Sequence, residues 1–274
     1  MRRLICTAIL ACAAAEQLHA GGKNLVPDKN LEAALRGVLF EAKGELTEAM
    51  LANVSVLEAK DKKIANLTGL EKCKNLALLN LAGNQVKDLT PLKGLDKLQS
   101  LDLAGNQISD LAPLKELTRL SFLELSGNQI SKLEPLSGLA NLSALYLTGN
   151  KVQDLAPLGT LNRLVSLSLG KNQIKDIGPL AKVTKISTLE LKDNYITDLT
   201  PLTKNTELNL LMIERNQIKD LAPLVSMAKA DAAGPRRFAP YLRVYLTGNP
   251  LSDTAKTTQL ADLKATGVRV EDWK

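Results

Sequence analysis

The chain has 274 residues, 45% of them hydrophobic and 23% charged, and 35 basic residues against 29 acidic give a net charge of +6. Aromatic residues make up only 3% and the one histidine is His19, so stacked aliphatic layers are favoured over a ring-filled core, and histidine-dependent hydrolases and histidine-ligated metal enzymes are nearly excluded. The charge excess is too mild and too evenly spread to point to nucleic acid.

Residues 1–20 read as a secretory signal peptide. Arg2 and Arg3 precede a short apolar stretch from Leu4 to Ala15, and cleavage after Ala20 is preferred to cleavage after Ala15. The stretch is shorter than the roughly 20 residues that a permanent membrane helix needs, and no other apolar run approaches that length, so no membrane span is expected. A variant reading takes Ile9-Leu10-Ala11-Cys12 as a lipoprotein box with Cys12 as a lipid anchor, although Leu10 stands where such boxes carry a smaller residue. Cleavage after Ala20 removes Cys6 and Cys12, leaving Cys73 without a partner for an intramolecular disulfide. The expected location is exported, periplasmic or secreted; the alternative is a lipoprotein tethered to the envelope.

Residues 24–53 are expected to form a helical N-terminal cap. Asp28 can N-cap a helix that carries Leu31, Leu35, Val38 and Leu39 on one face, and Thr47-Glu48 opens a second short helix with Met50 and Leu51.

Residues 54–250 are dominated by a 22-residue period, about nine units long. Asparagines recur at Asn84, Asn106, Asn128, Asn150, Asn172, Asn194 and Asn216, and prolines keep step from Pro91 to Pro223. Leucines recur from Leu79 to Leu211 and again two residues later, from Leu81 to Ile213. Each Leu-x-Leu pair predicts a short strand with both leucines inward and the residue between them outward. Each asparagine is placed to satisfy backbone groups of its own and the neighbouring turn, which would otherwise cost about 1–3 kcal/mol apiece when buried. Proline suits a return path outside any strand ladder. Lys62 occupies the asparagine register of a worn first repeat, and Cys73 falls on a core register, where it reads as a small buried hydrophobe.

Asn249 follows Asn216 by 33 residues, which marks an 11-residue insertion within 226–240. Ala228–Ala233 predicts one or two helical turns, followed by a Gly234–Pro240 loop. Arg236, Arg237 and Phe238 read there as a solvated loop, or as a basic-aromatic contact in the alternative. Residues 251–274 are expected to close the array, with Ser252 capping a helix through Leu260 and Leu263, Gly267 ending it and Val268–Val270 as a last strand.

These motifs resemble leucine-rich repeats of the 22-residue class found in bacterial internalins and in a eukaryotic protein phosphatase regulatory subunit, and the Val26–Leu35 opening is similar to the N-terminal caps of such bacterial proteins. The resemblance implies an α/β solenoid: a curved leucine-rich-repeat right-handed superhelix with a parallel β-sheet on the concave face, a helical N-terminal cap and a C-terminal helix cap. The shared residues are scaffold, so they carry no ligand contact with them.

Outward positions of the sheet follow from the register. Phe122, Glu124 and Tyr146 fall on adjacent strands with Asp102 one repeat earlier, and Leu210, Met212 and Tyr245 form a second group. Rings beside polar neighbours have the composition of a binding hot spot, against the alternative of ordinary scattered surface residues. Asp102 and Glu124 also form a candidate carboxylate pair, but no nucleophile or pocket accompanies them, so a solvated acidic face is preferred to acid–base or calcium chemistry. The expectation is a non-enzymatic protein-binding module: catalytic residues none, metal none, cofactors none, no nucleic acid, a monomer, and an unidentified protein ligand on the concave sheet. The competing readings are a phosphatase-type regulatory scaffold, and an architectural envelope or adhesion protein.

Overall fold

A Leu-x-Leu pair repeated every 22 residues buries its leucines only if successive copies stack, and the strands do so in chain order. A computed structural model describes residues 24–41, 43–234 and 238–272. The signal-peptide reading of 1–20, Cys12, His19 and the Arg236–Arg237 pair lie outside the described residues. The strands are β1 (Val56–Glu58), β2 (Leu78–Asn80), β3 (Ser100–Asp102), β4 (Phe122–Glu124), β5 (Ala144–Tyr146), β6 (Ser166–Ser168), β7 (Thr188–Glu190), β8 (Leu210–Met212), β9 (Arg243–Tyr245) and β10 (Arg269–Val270). They form one ten-stranded parallel sheet in the order β1 to β10. Register advances by one repeat per strand, so that Leu57, Leu79, Leu101, Leu123 and Leu145 stack in a single row. These leucines are buried to within 1% of full enclosure, each worth about 1.5–3 kcal/mol against exposure.

Parallel neighbours need a crossover, and the chain supplies it as a short 3-10 turn on the far side of each layer. Those turns lie at Leu70–Lys72, Thr90–Leu92, Ala112–Leu114, Glu134–Leu136, Ala156–Thr160, Gly178–Lys182 and Thr200–Lys204. From Thr90 onward a proline sits in the first positions of each, where its missing N–H has no acceptor to lose. A second periodic device precedes the prolines. Asp88, Asp110, Asp154, Asp176, Asp198 and Asp220 each accept the N–H two residues on, at 2.7–3.0 Å, pinning the entry to the turn. Lys132 breaks this row. Lys132→Asp is therefore expected to stabilise the chain by about 0.5–1 kcal/mol, read as a rise in the urea midpoint, by giving the Glu134 N–H an acceptor.

The asparagine row lies buried between the sheet and the turns. Asn106 Nδ2 donates to Leu103 O at 3.0 Å in its own repeat and to Leu81 O at 2.9 Å in the preceding one, while its Oδ1 accepts the Val86 N–H at 2.9 Å. The same three bonds recur at Asn84, Asn128, Asn150, Asn172, Asn194, Asn216 and Asn249. The residue before each asparagine adopts positive φ, which explains the recurrent Gly-Asn pairs; Lys171, Asp193 and Arg215 fill that position at a conformational cost that glycine avoids.

Two helices precede the sheet, α1 (Lys29–Leu39) and α2 (Glu48–Ala52). Asp28 caps α1 by accepting the Asn30 and Leu31 N–H groups with one carboxylate oxygen, while the other accepts those of Ala65 and Asn66, joining the helix to the first repeat. Its partial burial alone would raise the carboxyl, but these four donors hold it below the usual aspartate range. At the other end, a π-helical turn (Ala255–Gln259) runs into α4 (Leu260–Ala265), with Ser252 Oγ accepting the Ala255 N–H at 3.2 Å, and β10 follows.

The insertion differs from its sequence reading. A three-turn helix, α3 (Ala222–Ala232), replaces the 3-10 turn of its repeat from Ala222 onward, because Pro223 starts a helix as readily as a tighter turn. Phe238, read as part of a solvated loop, is 1% exposed and is the largest fully buried side chain among the described residues. Buried Asp231 holds it in place by accepting the Phe238 N–H at 3.0 Å and the Ala239 N–H at 2.8 Å. The described residues of the insertion lie off the sheet, and β8 and β9 still pair Leu210 with Arg243 and Met212 with Tyr245.

Candidate functional site

The outward positions of β3 to β5 carry the first group of candidate residues. Asp102 stands opposite Glu124, and Glu124 opposite Tyr146, so all three form one row across adjacent strands. Phe122 lies opposite Ser100 and Ala144, which leaves its ring free to lean along the strands towards Tyr146. The two ring centroids are 5.6 Å apart with planes tilted by 48°, a favourable aromatic pairing. All four side chains are half-buried.

The carboxylates have a local task as well. Asp102 Oδ1 accepts the Ala104 N–H at 3.0 Å and Glu124 Oε1 accepts the Ser126 N–H at 2.7 Å, closing each strand exit with one oxygen. No salt bridge among the described residues reaches either group. Burial pushes the Glu124 carboxyl above the usual glutamate range and the Asp102 charge adds to this, although donors from Ser126 oppose it. A carboxyl raised on folding weakens the native state as pH climbs through the glutamate range, because the folded chain releases that proton later than the unfolded one. Glu124→Gln is accordingly expected to raise the thermal midpoint at pH 7, with the gain fading as pH falls below the ordinary glutamate range.

The second group lies at the far end of the same face. Met212 and Tyr245 pair across β8 and β9, with Leu210 on the same strand as Met212, and all three are half-buried. Between the two groups the face is unlike its sequence reading. Glu190, at an outward position, is only 9% exposed and pairs with Lys192 Nζ at 2.8 Å, while the Thr148 hydroxyl lies 3.4 Å from its second oxygen. Gly170 makes this possible: a Cβ there would lie 2.6 Å from Glu190 Oε1. Burial, then the charge of Asp272, raises the nearby Glu214 carboxyl, whose Oε2 is buried without a hydrogen-bond partner. A carboxylate folded over a glycine in the preceding repeat has no signature in its own repeat, so reading one repeat at a time misses it.

Other features of the described residues do not join this face. Cys73 is fully buried, and burial pushes its thiol up to about 12, far from a reactive thiolate. Phe40, Tyr195 and Tyr241 are more than half exposed but lie off the sheet, so exposed rings are not confined to the candidate surface. Among the described residues no group of histidine, cysteine, aspartate and glutamate is placed to hold a metal ion, and no helix is long and apolar enough to cross a membrane.

Comparison with known proteins agrees with this architecture. The family profile for leucine-rich repeats in two copies matches overlapping windows from residue 74 to residue 204. The chain is similar to an internalin C2 from Listeria monocytogenes, at 34% identity and a TM-score of 0.74 over 81% of this chain and 95% of that one. It is also similar to an internalin F from the same species, at 33% identity and a TM-score of 0.70 over 90% of this chain and 76% of that one. A leucine-rich-repeat protein from Leptospira interrogans, at 22% identity and a TM-score of 0.64 over 75% and 57%, shares the fold. No curated protein matches the sequence. Ten stacked parallel strands, a buried asparagine row and these likenesses lead to one conclusion: the chain belongs to the internalin-type leucine-rich-repeat proteins of bacteria.

Proposed function

We propose that the chain is an exported, monomeric, non-enzymatic binding module that recognises a protein partner through its concave sheet. The observation that carries this reading is the Phe122–Tyr146 ring pair set beside Asp102 and Glu124 and flanked by the small side chains of Ser100, Ala144, Ser166 and Ser168. Half-buried rings at the centre of a polar surface are the usual anchors of a protein interface. Leu210, Met212 and Tyr245 extend the contact surface towards the C-terminal end. Export rests on Arg2, Arg3 and the apolar residues that follow, with lipidation of Cys12 as the tethered alternative.

Capture from the native cells, with wild-type chain and the Phe122→Ser/Tyr146→Ser double variant side by side, tests the reading. Both rings lie outside the leucine core, so the double variant is expected to keep its unfolding free energy within about 2 kcal/mol of wild type and to lose the partner. A partner held equally by both chains shifts the contact to the Leu210–Tyr245 group. No protein held by either chain favours the architectural reading.

A further inference from the structure

The chain carries an excess of positive charge, yet the centre of its sheet face has the opposite sign. The outward positions of β2 to β6 hold two carboxylates, Asp102 and Glu124, and no lysine or arginine. Strand spacing of about 4.8 Å places these like charges side by side, and no cation among the described residues pairs with either. Further along the face, Glu190 has its own lysine, so the missing counter-charge is local to the ring pair. One oxygen of each carboxylate already accepts a backbone N–H, which fixes the side chain at its strand exit. Immediately beside them lie two tilted rings, whose faces attract a cation electrostatically while their area buries its aliphatic stem.

We infer that the partner presents an arginine or lysine side chain, which docks between the Asp102–Glu124 carboxylates and the Phe122–Tyr146 rings. This rests on the concave-face reading above and adds the chemistry of the group that is recognised. The docked cation removes the repulsion between two half-buried carboxylates that the free chain leaves uncompensated. The Glu124 carboxyl is raised chiefly by burial, with a smaller part from that repulsion, and it falls when a cation binds. Arginine fits the site best, because a planar guanidinium can stack on a ring while bonding to both carboxylates.

Selection of random displayed peptides on the full chain tests the inference, followed by binding of synthetic winners to wild type, Asp102→Asn/Glu124→Gln and Phe122→Ser/Tyr146→Ser chains. Asparagine and glutamine retain carbonyl oxygens for the Ala104 and Ser126 N–H groups, so the strand exits persist, and thermal unfolding checks that they do. The expected winners carry arginine or lysine, bind the Asp102→Asn/Glu124→Gln chain at least about tenfold more weakly, and weaken as salt is raised. Changing the winner's own cation to glutamine is expected to weaken binding to wild type and to leave binding to the Asp102→Asn/Glu124→Gln chain unaltered. Winners that need both rings but carry no cation, or that bind the neutralised chain as well as wild type, overturn the inference and leave the binding face standing. Winners indifferent to both pairs of substitutions, or no winners at all, overturn the face and the inference together.

Discussion

Asn150→Ala is expected to lower the unfolding free energy by roughly 3 kcal/mol. Asn150 is 8% exposed and sits mid-array. Its Nδ2 donates to Leu125 O at 3.0 Å and Leu147 O at 2.9 Å, and its Oδ1 accepts the Ile130 N–H at 3.0 Å. Alanine leaves the buried Ile130 N–H without its acceptor and removes one of two donors from Leu125 O and from Leu147 O, which keep only Asn128 and Asn172, so three bonds are lost across two adjacent repeats and a cavity opens. Asn150→Asp separates the contributions: it keeps an acceptor for Ile130, loses both donors and sets a carboxylate against two carbonyls. A loss comparable with that of alanine is expected, read from urea unfolding at constant m-value. A midpoint shift equivalent to less than 1 kcal/mol would mean that water takes over the amide's bonds and that the row is not what holds neighbouring turns together. A fall in m instead would show the array melting in two blocks on either side of position 150.

Phe238→Ala is expected to cost about 3–4 kcal/mol, in the range of phenylalanine truncations in sealed cores. The ring closes the space beside α3, and the same residue's N–H is tied to buried Asp231. Its loss leaves a cavity next to the last full repeat. Amide exchange is expected to quicken first in β9 and β10, since Arg243 and Arg269 pair directly across that end of the sheet. Unchanged exchange there, with a stability loss below about 1 kcal/mol, would return Phe238 to the solvated loop that its Gly-Pro-Arg-Arg flank suggests.

That misreading shows which parts of the molecule a repeat reveals. Sheet register is carried by residues that recur, so Asp102, Glu124 and Tyr146 were found on one row of the face, and Met212 opposite Tyr245 across the insertion, from spacing alone. The asparagines were readable for the same reason, since a buried amide at a fixed phase has few other uses. Features that depend on a departure from the repeat were not. Phe238 lies in residues that have no counterpart one period away, and its burial depends on Asp231 accepting two N–H groups. Glu190 is buried only because the neighbouring repeat substitutes glycine at position 170. The aspartate row was periodic and therefore discoverable, but its residues are exposed, and surface aspartates invite a solvation reading until their bonds to the backbone are seen. The ring pair falls between these cases: register puts Phe122 and Tyr146 on neighbouring strands, whereas the 5.6 Å approach follows from the small size of Ala144.

The asparagine bonds also give the array a direction. Each Oδ1 reaches back to the repeat before it: Asn84 to Ile64, Asn106 to Val86, Asn249 to Ile218. No repeat can complete its own turn, because the acceptor it needs arrives about one period later in the chain. A polypeptide emerging N-terminus first therefore locks each layer one step behind its own synthesis, and α1 and α2 wait, already capped, for the first. Loss or duplication of a whole unit in the middle leaves every turn served by the unit that follows. Loss of the segment around Asn249 strands the final one, so the array tolerates changes of length in its interior and not at its closing end.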